Sequence, residues 1–191
     1  MDEQELFDLR RSLETIRDII RFLQQTDDEG EGDNDSLPYP ALSELAGDIM
    51  TFPQLITRIN NILDKFGKMK DNASAELLRI RRELSATTGS ISRSLNSILR
   101  AAQSDGYVDK DVTPTMRDGR LVIPVAPALK RKIKGIVHDE SATGQTVFIE
   151  PSAVVDANNK IRTLRAAERR EVIRILQEIT IEIRPHIPEL I

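Results

Sequence analysis

From Asn72 to Ser104 the apolar residues Leu77, Ile80, Leu84, Ile91, Leu95, Ile98 and Ala102 recur three, four or seven apart, with Thr87 or Thr88 filling the single gap. Such spacing keeps them on one stripe of one uninterrupted helix. At ~1.5 Å per residue the helix would run roughly 45–50 Å, farther than a small domain is wide. A chain of 191 residues that devotes so much of itself to one rod is built from levers and bundles.

Other segments repeat the pattern. Asp2 is placed to cap a helix to about Gln25, and Glu5 three residues on completes a capping box. Its stripe is Leu6, Leu9, Leu13, Ile16, Ile20 and Leu23, widened by Phe7 and Ile19 beyond what a two-strand coiled coil needs, so a bundle is expected. A short helix over about Pro40–Met50 leads to another over Pro53–Phe66, striped by Leu55, Ile59, Ile62 and Phe66 and closed by Gly67. A last helix over about Pro151–Arg184 carries Ile161, Leu164, Val172, Ile175, Ile179 and Ile183, with a polar interval at Ala167 and Glu168, and Pro185 and Pro188 stop it.

Between the long helices the period changes from helix to strand. Asp111–Ala126 reads as two strands about Arg117-Asp118-Gly119-Arg120, and Asp-Gly is a strong hairpin signal. Gly135–Glu140 and Gln145–Ile149 form a second pair about Ser141-Ala142-Thr143-Gly144. Pro124 would interrupt a central strand, so the first hairpin is expected to offer that side as an edge. The fold class expected is mainly α with a small β subdomain, a long-helix bundle or lever carrying two β-hairpins. Its divisions are a helical core over 1–110, the hairpins over 111–150, and a lever helix with its tail over 151–191. An acidic loop occupies 26–36. Asp27, Glu29, Glu31 and Gly32 fall on positions of a calcium loop, but Pro38 stands where the bidentate carboxylate is required, so a solvated loop is expected.

Several chemistries are excluded. There is no Cys, hence no disulfide or thiolate site, which fits a reducing compartment. The acidic start is unlike a signal peptide, and no run reaches the ~18 apolar residues of a membrane span, so a soluble cytoplasmic protein is expected. A phosphate-cradling P-loop fails twice. Gly67-Lys68 lacks the upstream glycine, and the stretch ending Gly144-Gln145-Thr146 has Gln where Lys must stand and Asp139 where the first Gly must stand. In His138-Asp139-Glu140, neighbours on a strand point to opposite faces, so His138 is expected to hydrogen-bond structurally rather than ligate a metal. Glu168 and Glu171 read as a solvated helix face, with Glu171 and Arg174 as a surface ion pair. No catalytic, cofactor or metal residue is expected.

Two basic groups suit phosphate backbones, which mobile cations bind through counterion release without reading bases. One is Arg117 and Arg120 at the hairpin turn with Lys130, Arg131, Lys132 and Lys134 in the next connector. The other is Arg162, Arg165, Arg169 and Arg170 on the last helix. The plain alternative for each is a solvated face. The net charge of −4 gives no global bias, and the absence of Trp argues against base-stacking platforms.

Three stretches carry a family likeness. They are Arg117-Asp118-Gly119-Arg120-Leu121-Val122-Ile123-Pro124-Val125, then Gly135-Ile136-Val137-His138-Asp139-Glu140-Ser141-Ala142-Thr143-Gly144-Gln145-Thr146-Val147-Phe148-Ile149-Glu150-Pro151, and Val154-Val155-Asp156-Ala157-Asn158-Asn159-Lys160-Ile161. With Lys70-Asp71-Asn72-Ala73-Ser74-Ala75-Glu76-Leu77 they resemble the core and lever of the second bacterial branch of the MutS family. The resemblance implies a homodimeric, ATP-driven protein that embraces branched or looped DNA and suppresses recombination, with a separate Smr module for nicking. It also implies a link to collided ribosomes. ATP and magnesium would belong to an ATPase domain that this chain does not resemble, so a non-catalytic core and lever-clamp fragment is expected. A ribosome-binding clamp and a purely structural dimerisation arm are the alternatives.

Overall fold

Asp2 begins the first helix as its sequence requires. Its carboxylate accepts from the Glu5 amide at 2.8 Å, and the Glu5 carboxylate accepts from the Asp2 amide at 2.8 Å. This helix, α1, spans Glu3–Leu23. The computed structural model describes residues 1–25 and 39–190. The acidic stretch expected as a loop over 26–36, with the calcium reading placed on it, lies outside them. The chain divides into two compact units, Met1–Ala75 with Glu171–Ile191, and Glu76–Arg170.

In the first unit α1 packs against α2 (Pro40–Ala46) and α3 (Pro53–Ile62). Leu6, Leu13 and Ile20 are buried along α1 as expected, but Ile16 and Ile19 are exposed. Between Leu6 and Leu13 the buried stripe carries Arg10, at 5% exposure. Its guanidinium donates to Asn60 Oδ1 at 3.1 Å and to the Asp64 carbonyl at 2.9 Å. Helix α3 stops four residues before the expected Phe66. The Asp64 carboxylate accepts from the Phe66 and Lys68 amides at 2.8 and 2.9 Å, offering the backbone a turn in place of another helical bond. Phe66 is consequently exposed.

Glu171 departs from the surface ion pair expected of it. It is buried, accepting from Ser74 Oγ at 2.6 Å and from Arg174 Nη2 at 2.7 Å. The hydrogen bond from Arg174, opposed by burial and joined by that from Ser74, holds its carboxyl at about 2 against an ordinary 4.5. A group whose folded value lies below its unfolded value stabilises fully above the unfolded one. That contribution is lost as the pH falls from about 4.5 towards 2. Arg174 is half exposed, and screening limits the effect to about 1–2 kcal/mol. The urea midpoint is expected to fall between pH 5.5 and 3, and Glu171→Gln to shrink that fall. An equal fall in the variant would exclude Glu171 as its source.

The second unit is built on α4 (Ala75–Ser104), thirty residues without a break. Its buried stripe is Leu77, Ile80, Ile91, Leu95, Leu99 and Ala102. Leu99 is buried where Ile98 was expected, and Ile98 packs at the margin of the core. The two expected hairpins form, and they join into one sheet. Strands β1 (Thr115–Arg117), β2 (Arg120–Val125), β3 (Gly135–Glu140) and β4 (Val147–Pro151) lie in the order β1-β2-β4-β3, all antiparallel. Pro124 thus stands in an inner strand, contrary to the expected edge. The conflict is resolved locally. β1 pairs only as far as Val122, and Pro124 lies beyond it, paired on one side with Phe148.

Cross-strand partners Ile123 with Ile149 and Val125 with Val147 share one face. They form a core with Ile91, Leu95 and Leu99 of α4 and with Ile161 of the last long helix. Helix α5 spans Val155–Ile183 after a short 3-10 turn, and Pro185 follows its end as expected. Its polar interval is explained by Glu168, which accepts from Arg81 Nε at 2.7 Å. Among the described residues no helix is long and apolar enough to cross a membrane.

Candidate nucleic-acid interface

The β1–β2 turn is set by two residues with positive φ, Asp118 at 46° and Gly119 at 76°. That geometry is the two-residue hairpin whose twist matches its strands, and it is why Asp-Gly stands there. The turn leaves Arg117 and Arg120 at its two ends. Arg117 lies over the Phe148 ring, 4.1 Å from its centroid, with Asp139 4.0 Å away. Arg120 turns inward.

Its partner is Glu150, a fully buried carboxylate near the end of β4. Arg120 Nη1 donates to both Glu150 oxygens at 2.8 and 3.0 Å. Asn158 Nδ2 donates to the same group at 2.7 Å, and His138 Nε2 lies 2.5 Å from it. Burial pushes the Glu150 carboxyl up, but the hydrogen bonds from Asn158, His138 and Arg120 outweigh burial and hold it below the ordinary carboxylate range. His138 is therefore a structural hydrogen-bonding residue, as expected. A β-bulge between Val137 and Asp139 turns it to this task.

The same network seats α5. The Asn158 side chain meets the Leu121 backbone at two points, accepting from its amide at 3.2 Å and donating to its carbonyl at 3.1 Å. Arg120 Nη2 reaches Asn159 Oδ1 at 2.7 Å. From Asn158 onward, Arg162, Arg165 and Arg169 follow at spacings of four, three and four, hence on the same face of the helix. That face meets the hairpin turn. A Cβ added to Gly119 would lie 3.7 Å from Arg165 Nη1.

The outcome is a cavity of about 350 Å³ lined by Asp118, Gly119, Arg120, His138, Arg162, Arg165 and Arg169. Arg120 from the turn group and Arg162, Arg165 and Arg169 from the helix group thus share one site, although some forty residues separate them. Arg170 points off this face and Arg117 lies outside the cavity. Among the described residues Arg162, Arg165, Arg169 and Arg170 form no ion pair, whereas the neighbouring Lys160 binds Glu83 at 2.7 Å. The connector stands apart. Lys130, Arg131 and Lys132 lie on a 3-10 turn over Pro127–Lys132, exposed together with Lys134. Lys132 and Lys134 border a separate cavity of about 450 Å³, floored by Ile98, Ala101, Ala102 and Tyr107.

Sequence reasoning did not find Glu150 and Asn158. Glu150 is an acidic residue at the end of an apolar strand, and Asn158 a polar residue on the buried side of a helix. A polar side chain at an inward position is a signal for a buried network, since burial without partners is costly.

No family model matches the chain. Individual proteins do. The endonuclease MutS2 of Pelotomaculum thermopropionicum is 37% identical over 186 residues, covering 97% of this chain and 22% of that protein. That of Finegoldia magna is 39% identical over 175 residues, covering 92% of this chain and 21% of its own length. That of Halothermothrix orenii is 35% identical over 189 residues, with coverage of 98% and 23%. The chain spans about a fifth of the length of these curated relatives. Similarity that runs through nearly all of the chain at this level places it in the MutS2 family.

Proposed function

We propose that this chain is a non-catalytic core and lever-clamp segment of a MutS-like, ATP-dependent DNA-binding protein, and that its second unit grips nucleic-acid phosphates. The observation that carries this reading is the convergence of Arg120 with Arg162, Arg165 and Arg169 on one cavity, three of these arginines being without a carboxylate partner among the described residues. Unpaired guanidinium groups held on a rigid helix are ready to exchange counterions for phosphates. Lys130, Arg131, Lys132 and Lys134 add a second, exposed contact. Helices α4 and α5, thirty and twenty-nine residues long, are the stiff members along which nucleotide-driven movement would reach this grip. On this reading ATP hydrolysis and nicking would be the work of parts of a whole protein beyond the stretch this chain matches, and branched or looped DNA in recombination suppression or repair would be the target of that protein acting as a homodimer.

Fluorescence anisotropy with a four-way DNA junction, titrated from 50 to 200 mM salt, tests the grip. Each neutralised phosphate contributes about −0.9 to the slope of log affinity on log salt. Replacing Arg162, Arg165 and Arg169 together by Ala is expected to flatten the slope by about 2–3. Replacing the four connector cations by Ala should have the smaller effect on affinity. Salt-independent binding, or no binding, would leave these arginines as an ordinary solvated face. Ribosomal RNA presents the same phosphates, and competition by purified ribosomes in this assay separates the two targets.

A further inference from the structure

The arginine cavity concentrates more charge than a single backbone phosphate neutralises. Four guanidinium groups line it, and against them stand Asp118 on the rim and Glu150 behind Arg120. With His138 left out of the count, two positive charges remain uncompensated. Arg117 does not alter this balance, because Asp139 lies beside it. A phosphodiester carries one negative charge, whereas a phosphomonoester carries about 1.5–2 at neutral pH and presents three acceptor oxygens. Three guanidinium forks on the helix, with Arg120 as a fixed cation at the turn, suit such a head group better than a diester with two free oxygens.

The shape agrees. A surface that tracks single-stranded backbone is an extended cationic groove. Here the arginines border a cavity of about 350 Å³, near the lower end of the roughly 300–1,000 Å³ of small-ligand clefts. Its back wall is fixed, since Arg120 is held on Glu150 and Asn159 and only part of its side chain is exposed. Its front is adjustable, since Arg162 and Arg169 are exposed.

The geometry points to a phosphomonoester subsite in this cavity, for the terminal phosphate of a nucleic-acid strand or for a free small phosphomonoester. Arg162, Arg165 and Arg169 supply the charge and Arg120 the fixed wall. The first source rests on the nucleic-acid reading of the site; the second does not.

The test uses the 191-residue chain with three probes: a DNA duplex bearing 5′-phosphates, the same duplex bearing 5′-hydroxyls, and a free nucleoside monophosphate followed by calorimetry. The phosphorylated duplex is expected to bind about tenfold more tightly than the hydroxyl-ended one. The double variant R162Q/R165Q, which keeps Arg120 and Glu150 in place, should abolish the difference while amide exchange in β2 and β4 stays native. Preference for the duplex end over the free monophosphate assigns the site to strand ends, and equal binding assigns it to small phosphomonoesters. Equal affinity for phosphate and hydroxyl ends, together with no uptake of the monophosphate, overturns the inference and leaves the backbone grip standing. Uptake of the monophosphate without salt-dependent DNA binding overturns the grip and leaves the subsite.

Discussion

Glu150→Ala is expected to destabilise the second unit by about 3–5 kcal/mol, the range in which removing one member of a buried ion pair falls. The carboxylate is fully buried and serves three donors at once, Arg120 from β2, His138 from β3 and Asn158 from α5. Truncation would leave the Arg120 guanidinium facing a cavity without its countercharge, and would deprive Asn158 of the bond that ties α5 to β4. The expected readout is amide hydrogen exchange, with protection lost together at 120–125 and 147–151. Glu150→Gln keeps the volume but presents an amide NH₂ towards donors, so its cost should approach that of Ala. The double variant R120A/E150A should lose less than the sum of the single losses, because each removal alone strands the other group. A loss below about 1 kcal/mol for Glu150→Ala would mean that the network contributes little, as exposed pairs do.

Gly135→Ala should destabilise the same sheet by about 2–3 kcal/mol through overpacking. Gly135 opens β3 opposite Pro151, and a Cβ there would run into the Glu150 carbonyl group and lie 2.9 Å from Ile149 Cγ2. The obstruction is backbone, which cannot rotate away as a side chain would. The sheet must part at the point where Glu150 enters the network, so the variant should also weaken phosphate binding, although Gly135 does not line the arginine cavity. Thermal melts of the variant and exchange at 147–151 check this. Unchanged protection would mean that β3 moves aside at no cost.

Much of the architecture was legible in the residues. The capping box of Asp2 and Glu5, the rod from Ala75 to Ser104, the Asp-Gly turn and both hairpins depend on local periodicity and turn chemistry, which short stretches of sequence encode. The structure departs from the local pattern where a distant partner decides. Arg10 is buried because Asn60 and the Asp64 carbonyl receive it, and Glu171 because Ser74 and Arg174 do. α3 ends early because a single carboxylate, that of Asp64, captures two amides. Pro124 is tolerated inside the sheet because β1 is three residues long.

The candidate site divides in the same way. By itself the sequence determined which cations exist and which share a helix face, because Arg162, Arg165 and Arg169 are related by helical geometry alone. Only the tertiary structure decided that Arg120 joins them while Lys130, Arg131, Lys132 and Lys134 do not. That choice depends on Glu150 and Asn158, whose bonds span 30 and 37 residues to Arg120 and Leu121. The physical reason is that a buried charge must find partners wherever the chain brings them, and no local pattern specifies where that is.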